Sequence, residues 1–276
     1  MNENSYNKNY WINNDPDYLN HKKEVLKLLG IIGIDTRYIS YSPNTIYINN
    51  IRFSKFSKKR EKTFNKYFPE IAIVRSTIFQ KICSRASKIF ADKLHPKDNI
   101  LLLKPQNKID NLLKIILEPY SRKYGIAIFE SNFLSLEEAI SVLNKNISEK
   151  EKKDINAISS SLTLNEEVKS ILSAIFSGKE IENDEIENDD IKIIYPFINV
   201  SNEWISLFFD NFSNNNFKED NYELIKDNNY ISNNENDSDK IAISFMSFLD
   251  DLVPQYKENT LKSAIFIKKN SNKNNN

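Results

Sequence analysis

Between Asn99 and Tyr124 the spacing of apolar residues changes its period. Ile100–Leu103 is a continuous apolar run, short enough for a strand buried on both faces. Lys104-Pro105-Gln106-Asn107 breaks it, and Leu112, Leu113, Ile115, Ile116 and Leu117 then follow at the spacing of a helix with one apolar face. Strand, tight loop and helix form the opening unit of nucleotide-binding α/β folds, where a glycine-rich loop offers backbone N–H groups to phosphate. This loop has no glycine.

The same kind of reading extends along the chain. Residues 1–20 are polar and Asn-rich, with Trp11 and Tyr18 as anchors, and Lys22–Leu29 predicts a short helix stopped at Gly30. Arg37–Phe53 alternates around Pro43-Asn44 as a hairpin does. Ser57–Asp92 predicts one long or two shorter helices broken near Pro69, the second bearing Ile71, Ile73, Val74, Ile78, Ile82 and Ile89. After the central unit, Ile126–Phe129, Ile155–Ser159 and Ile191–Ile194 are short apolar runs. They alternate with helices at Leu136–Leu143, introduced by Ser135 and Glu138, and at Thr163–Phe176, closed by Gly178. Ser201 caps a further amphipathic helix through Phe209. Lys179–Asp190 and Asn211–Lys240 are polar and acidic, and Ile241–Val253 and Leu261–Ile267 are the last apolar segments. Strands alternating with helices predict an α/β fold: a small parallel sheet flanked by helices, with an N-terminal helix–hairpin module and C-terminal helices. The divisions expected are 1–54 for that module, 55–212 for the α/β domain, 213–239 for a polar insertion, 240–267 for C-terminal helices and 268–276 for a disordered tail.

Composition narrows the chemistry. Thirty-eight basic and 38 acidic residues cancel, so any nucleic-acid surface has to be local. Such a patch is offered by Lys58, Lys59, Arg60, Arg75, Arg85 and Lys88, with a solvated helix face as the plainer reading. Four glycines, against an average of roughly 7% of residues, leave little for phosphate loops. Two separated histidines and the single Cys83 exclude Cys/His zinc sites, disulfides and Cys–Cys redox pairs within the chain. Cys83, in an apolar helix, is expected in the core. With no signal-peptide pattern and no apolar run of about 18 residues, a soluble cytoplasmic protein without membrane contact is expected.

From Lys55 to Ile267, several landmarks taken in order resemble the PP-loop (N-type) ATP pyrophosphatases of the adenine nucleotide alpha hydrolase-like superfamily. The likeness is to those that 2-thiolate the wobble uridine of tRNA in archaea and the eukaryotic cytosol. Their nucleotide loop, Ser-Gly-Gly-Lys-Asp-Ser, matches Pro105-Gln106-Asn107-Lys108-Ile109-Asp110 here. Their Gly-His-Asn-Leu-Asp-Asp-Glu motif matches Ser161-Leu162-Thr163-Leu164-Asn165-Glu166-Glu167. Their Pro-Leu-Arg and Glu-led helix match Pro196-Phe197-Ile198 and Glu203, and the Phe-Leu…Leu…Pro pattern matches Phe248, Leu249, Leu252 and Pro254. The stretch from Arg75 and Arg85 to Leu94-His95-Pro96-Lys97-Asp98 resembles the family's basic helix and turn, where the enzymes engage tRNA.

The resemblance implies a PP-loop/HUP-like fold, ATP with Mg²⁺ as cofactor and catalytic cysteines; the departures remove the last two. Gln106 and Asn107 stand where two glycines belong, Ile109 replaces an aspartate, and Asn165 and Glu166 replace paired aspartates. No cysteine corresponds to the catalytic ones, and the hairpin at Arg37–Phe53 occupies the place of the zinc ribbon without a ligand. The expectation is a pseudoenzyme without cofactor: the non-catalytic component of a tRNA 2-thiolation complex, binding tRNA and a catalytic paralogue. Two alternatives stay open. One is an active ATP-dependent tRNA-modifying enzyme with a rebuilt site, using Asp110, Asn165 and Glu166 for Mg²⁺. The other is an unrelated α/β interaction domain.

Overall fold

The computed structural model of the protein describes residues 16–145, 155–181, 191–213 and 236–274. Helix α1 (Pro16–Ile31) is longer than its apolar stripe predicts, and Gly30 lies inside it. The left-handed turn comes at Gly33, with φ of 81°, where an added Cβ would meet the Arg60 guanidinium at 2.9 Å. A short turn at Thr36–Tyr38, capped by the Asp35 carboxylate, leads into β1 (Ile39–Ser42) and β2 (Thr45–Ile48). These pair antiparallel across Pro43-Asn44, the hairpin expected.

The hairpin pattern ends earlier than the alternation predicts. Asn50 accepts from the Phe53 amide and starts α2 (Ile51–Ser54), leaving Ile51 and Phe53 exposed. Helix α3 (Lys58–Phe64) follows, capped by Ser57. Ile71–Val74, expected to open a helix, instead supplies β3 (Ala72–Val74), parallel to β2. A short β-branched run satisfies either period, and an available strand edge decided it. The helix itself, α4 (Thr77–Lys93), waits for its cap at Ser76. Phe56, Phe64 and Ile71 share a core with Val25, Leu29, Ile46 and Ile48, so the N-terminal module runs through β3 and does not close at residue 54.

The main sheet uses all four apolar runs. β4 (Asn99–Leu102), α5 (Lys108–Leu117), α6 (Tyr120–Tyr124), β5 (Ala127–Glu130), α7 (Leu136–Lys145), β6 (Ala157–Ser159), α8 (Leu164–Phe176) and β7 (Lys192–Ile194) follow in order. The strands lie β5-β4-β6-β7, every pair parallel. Ile100 and Leu102 face one core with α4, α5 and α9 (Asn202–Ser213), while Leu101 faces another with Ala139 of α7. Burial on both faces explains why these strands are continuously apolar. The architecture is α/β, a small parallel sheet flanked by helices, as the PP-loop-like expectation requires. Helix α8 also carries α10 (Asp237–Leu252) and α11 (Tyr256–Asn274) in a separate apolar cluster. Helix α10 begins inside the segment assigned to the polar insertion, and α11 continues through 268–274, assigned to a disordered tail. Residues 214–235 of that insertion, Trp11 and residues 182–190 of the acidic loop fall outside the described residues.

Two features join the N-terminal module to the sheet domain. Ile46 and Ile48 point into the N-terminal core while Tyr47, between them, packs on Phe79 and Phe208 of the main core. Beside it the buried Glu118 carboxylate accepts from the Tyr41 amide at 3.0 Å, Arg122 at 2.5 Å and Lys22 at 2.9 Å. Arg122 also donates to the Thr36 and Ile39 carbonyls.

Candidate functional site

In an open parallel sheet, ligands bind at the carboxyl ends of the strands, where strand order reverses. Here that point lies at β4, flanked by β5 and β6. Leu102, Leu103, Pro105, Asp110, Glu130 and Ser159–Ser161 surround a cavity of only about 20 Å³, room for roughly one water.

The loop above it is closed by its own side chains. Asn107 caps α5, accepting from the Ile109 and Asp110 amides at 2.7 and 3.1 Å. Asp110 returns a carboxylate oxygen to the Gln106 amide at 2.7 Å and the Asn107 amide at 3.1 Å, and accepts from Ser161 Oγ at 2.5 Å. The Gln106 side chain donates to the Leu134 carbonyl, and the Lys104 amide donates to Phe133 O. Lys108 turns toward the Phe209 ring, 5.9 Å from its centre. Backbone amides that a phosphate loop reserves for its ligand thus bond an internal anion. Asn107-x-x-Asp110 is a capping-box spacing, legible in the sequence; the bond from Ser161, fifty-one residues on, is not.

The second motif is also turned to structure. Thr163, fully buried, caps α8, and the Glu166 carboxylate accepts from its amide at 2.8 Å. Asn165 accepts from the Asn202 amide and donates to Glu203, tying α8 to α9. Leu162 is half-buried before the cap. Asp110, Asn165 and Glu166 therefore face three different partners, and no metal-binding group of three His, Cys, Asp or Glu side chains forms among the described residues. Cys83 is buried in α4, its thiol pushed up by burial, and fits neither a nucleophile nor a cluster ligand.

The six basic residues do not share one helix face. Lys58, Lys59 and Lys88 are exposed, the first two on α3 and the third on α4. Arg60 donates to the Lys55 carbonyl at 2.6 Å. Arg75 precedes α4 and is taken up by Glu61 at 2.6 Å, by the Phe56 carbonyl at 2.8 Å and by the Phe56 ring. Arg85 donates to Asn199 O and lies over Trp204, 5.2 Å from the ring centre. Lys81, exposed on the same helix, lies 5.8 Å from the centre of that ring.

Among solved structures, the chain is similar to that of the U34-tRNA thiolase NcsA from Methanococcus maripaludis with its 4Fe-4S cluster. The TM-score is 0.47 at 10% sequence identity, over 72% of this chain and 82% of that one. No family model and no curated protein matches the sequence. No helix among the described residues is long and apolar enough to cross a membrane.

Proposed function

We propose that this protein is a non-catalytic, degenerate PP-loop component of a tRNA 2-thiolation complex, binding tRNA and a catalytic paralogue. One observation carries the non-catalytic half: the Asp110 carboxylate holds the Gln106 and Asn107 amides that a nucleotide phosphate would need. An incoming phosphate would have to displace a tethered anion, and Gln106 and Asn107 add side chains where close backbone approach is required. The in-order sequence landmarks support the thiolation half. For tRNA, the exposed Lys58 and Lys59 of α3 and Lys81 and Lys88 of α4 are the candidates, because Arg75 is engaged in holding the fold.

An affinity pull-down of the full chain from its native cells, scored for tRNA and for a glycine- and cysteine-replete paralogue, tests the proposal. Both are expected. Recovery of neither, or micromolar ATP binding in calorimetry that Asp110→Ala abolishes, overturns it.

A further inference from the structure

Helix α4 turns three cations to one side. Lys81, Arg85 and Lys88 follow at spacings of four and three, which sets them along one face of the helix. Lys81 and Lys88 are exposed, and Arg85 lies half-buried between them. Like charges at these spacings destabilise a helix. Among the described residues no carboxylate pairs with any of the three. Of the acids on α4 and α9, Asp92 lies one turn beyond Lys88, Asp210 is exposed, and Glu203 is paired with Lys257 at 2.6 Å.

The aromatic partner comes from α9. Trp204 packs half-buried against the main core, and the Arg85 guanidinium lies over its ring at 5.2 Å, with Lys81 at 5.8 Å. Arg85 also donates to the Asn199 carbonyl at 3.3 Å, which holds the guanidinium in place before any ligand arrives. An indole and a guanidinium in layers, edged by exposed lysines, suit a planar ring that carries negative charge beside it. A nucleobase stacks on aromatic rings and on guanidinium planes, while lysines take its phosphates. An acidic peptide would meet the charges and leave the ring plane unused. Bases inside a duplex are already stacked, so the fitting ligand is an unpaired nucleotide. Lys81 and Lys88 stand about 10 Å apart along the helix axis, one on each side of Arg85.

We propose that the Arg85–Trp204 layer is a stacking platform for an unpaired base of RNA, with Lys81 and Lys88 engaging the phosphates beside it. The proposal rests on the tRNA-binding reading and specifies which part of the RNA is held. The full chain carrying Trp11→Phe keeps Trp204 as its one indole, so its fluorescence reports on this ring alone. It is titrated with a short unstructured RNA, with a duplex of the same length and polyglutamate as controls. The single strand is expected to quench the indole, and the controls to leave it unchanged. Arg85→Lys keeps the charge and loses the plane, so it should weaken single-strand binding by about tenfold, within the range of one stacked base. Lys81→Gln and Lys88→Gln, at exposed positions, should each lower the log–log salt slope by about 0.7. Equal quenching by the duplex or by polyglutamate overturns the platform, as does binding with unchanged fluorescence and no response to Arg85→Lys. If tRNA still binds in those cases, the tRNA reading stands; a chain that binds neither RNA overturns both.

Discussion

Asp110 is the residue at which structure and function meet. Its carboxylate accepts from the Gln106 and Asn107 amides and the Ser161 hydroxyl at the start of α5, so the local fold depends on it. Asp110→Ala removes half of the capping box and leaves the Gln106 amide and Ser161 hydroxyl without that acceptor. The cost should be about 2 kcal/mol, one cap near 1 kcal/mol plus a lost charge-assisted bond. Urea unfolding should show the loss as a lower midpoint at unchanged slope. No gain of ATP binding should accompany it, since Gln106 and Asn107 still block the loop. An unaltered midpoint would mean that the carboxylate does not hold the loop.

Among the elements, α3 and the turn into α4 make the sharpest contrast between structural and solvated charge. Arg75 joins Glu61 of α3 to the Phe56 carbonyl and stacks 5.3 Å from the Phe56 ring centre. Its side chain is mostly buried, so truncation leaves Glu61 and a carbonyl without their donor. Arg75→Ala should cost about 2–3 kcal/mol. Lys59→Glu and Lys88→Glu, on exposed faces, should stay within about 0.5 kcal/mol of wild type. Thermal unfolding would separate the classes. In a tRNA-binding titration the lysine variants should each reduce the log–log salt slope by roughly 0.7–0.9. An unchanged slope would remove those lysines from any RNA surface.

Across the whole molecule, two charged joints hold layers together, and both respond to acid. At Glu118, burial pushes the carboxyl up, but Arg122 and Lys22 outweigh it and hold it below its ordinary 4.5. Folded Glu118 thus binds its proton less tightly than the unfolded chain does. Its stabilisation is complete above about pH 4.5 and is lost as pH falls through the lower folded value. Glu118→Gln should cost about 3 kcal/mol near neutrality, because it leaves Arg122 without its buried counter-charge. The gap to wild type should narrow below pH 4.5 in urea titrations; a constant gap would contradict this account. The second joint is Lys257, buried between Glu203 at 2.6 Å and Asp250 at 2.9 Å. Burial raises the Glu203 carboxyl, but Lys257, Ser201 and Asn165 bring it down to about 2. Lys257→Met should speed amide exchange in α10 and α11 while leaving α4 and α5 protected. Uniform change across all four helices would show that the C-terminal layer does not open separately.

The sequence by itself determined what is written within a few residues. The four apolar runs became the four parallel strands, and Thr163 caps where its helix begins. Periodicity and capping are local interactions, so they survive without knowledge of the rest of the chain. Tertiary structure decided matters of partnership. Ile71–Val74 fits either period, and only the free edge of β2 made it a strand. Arg75 looks like a surface cation until Glu61 and Phe56 are brought beside it, and Ser161 reaches Asp110 only because β6 lies next to β4. A charged or polar side chain gains most from whatever desolvated partner the fold places within hydrogen-bonding distance. That partner is set by the packing of distant segments, and no local pattern in the chain names it.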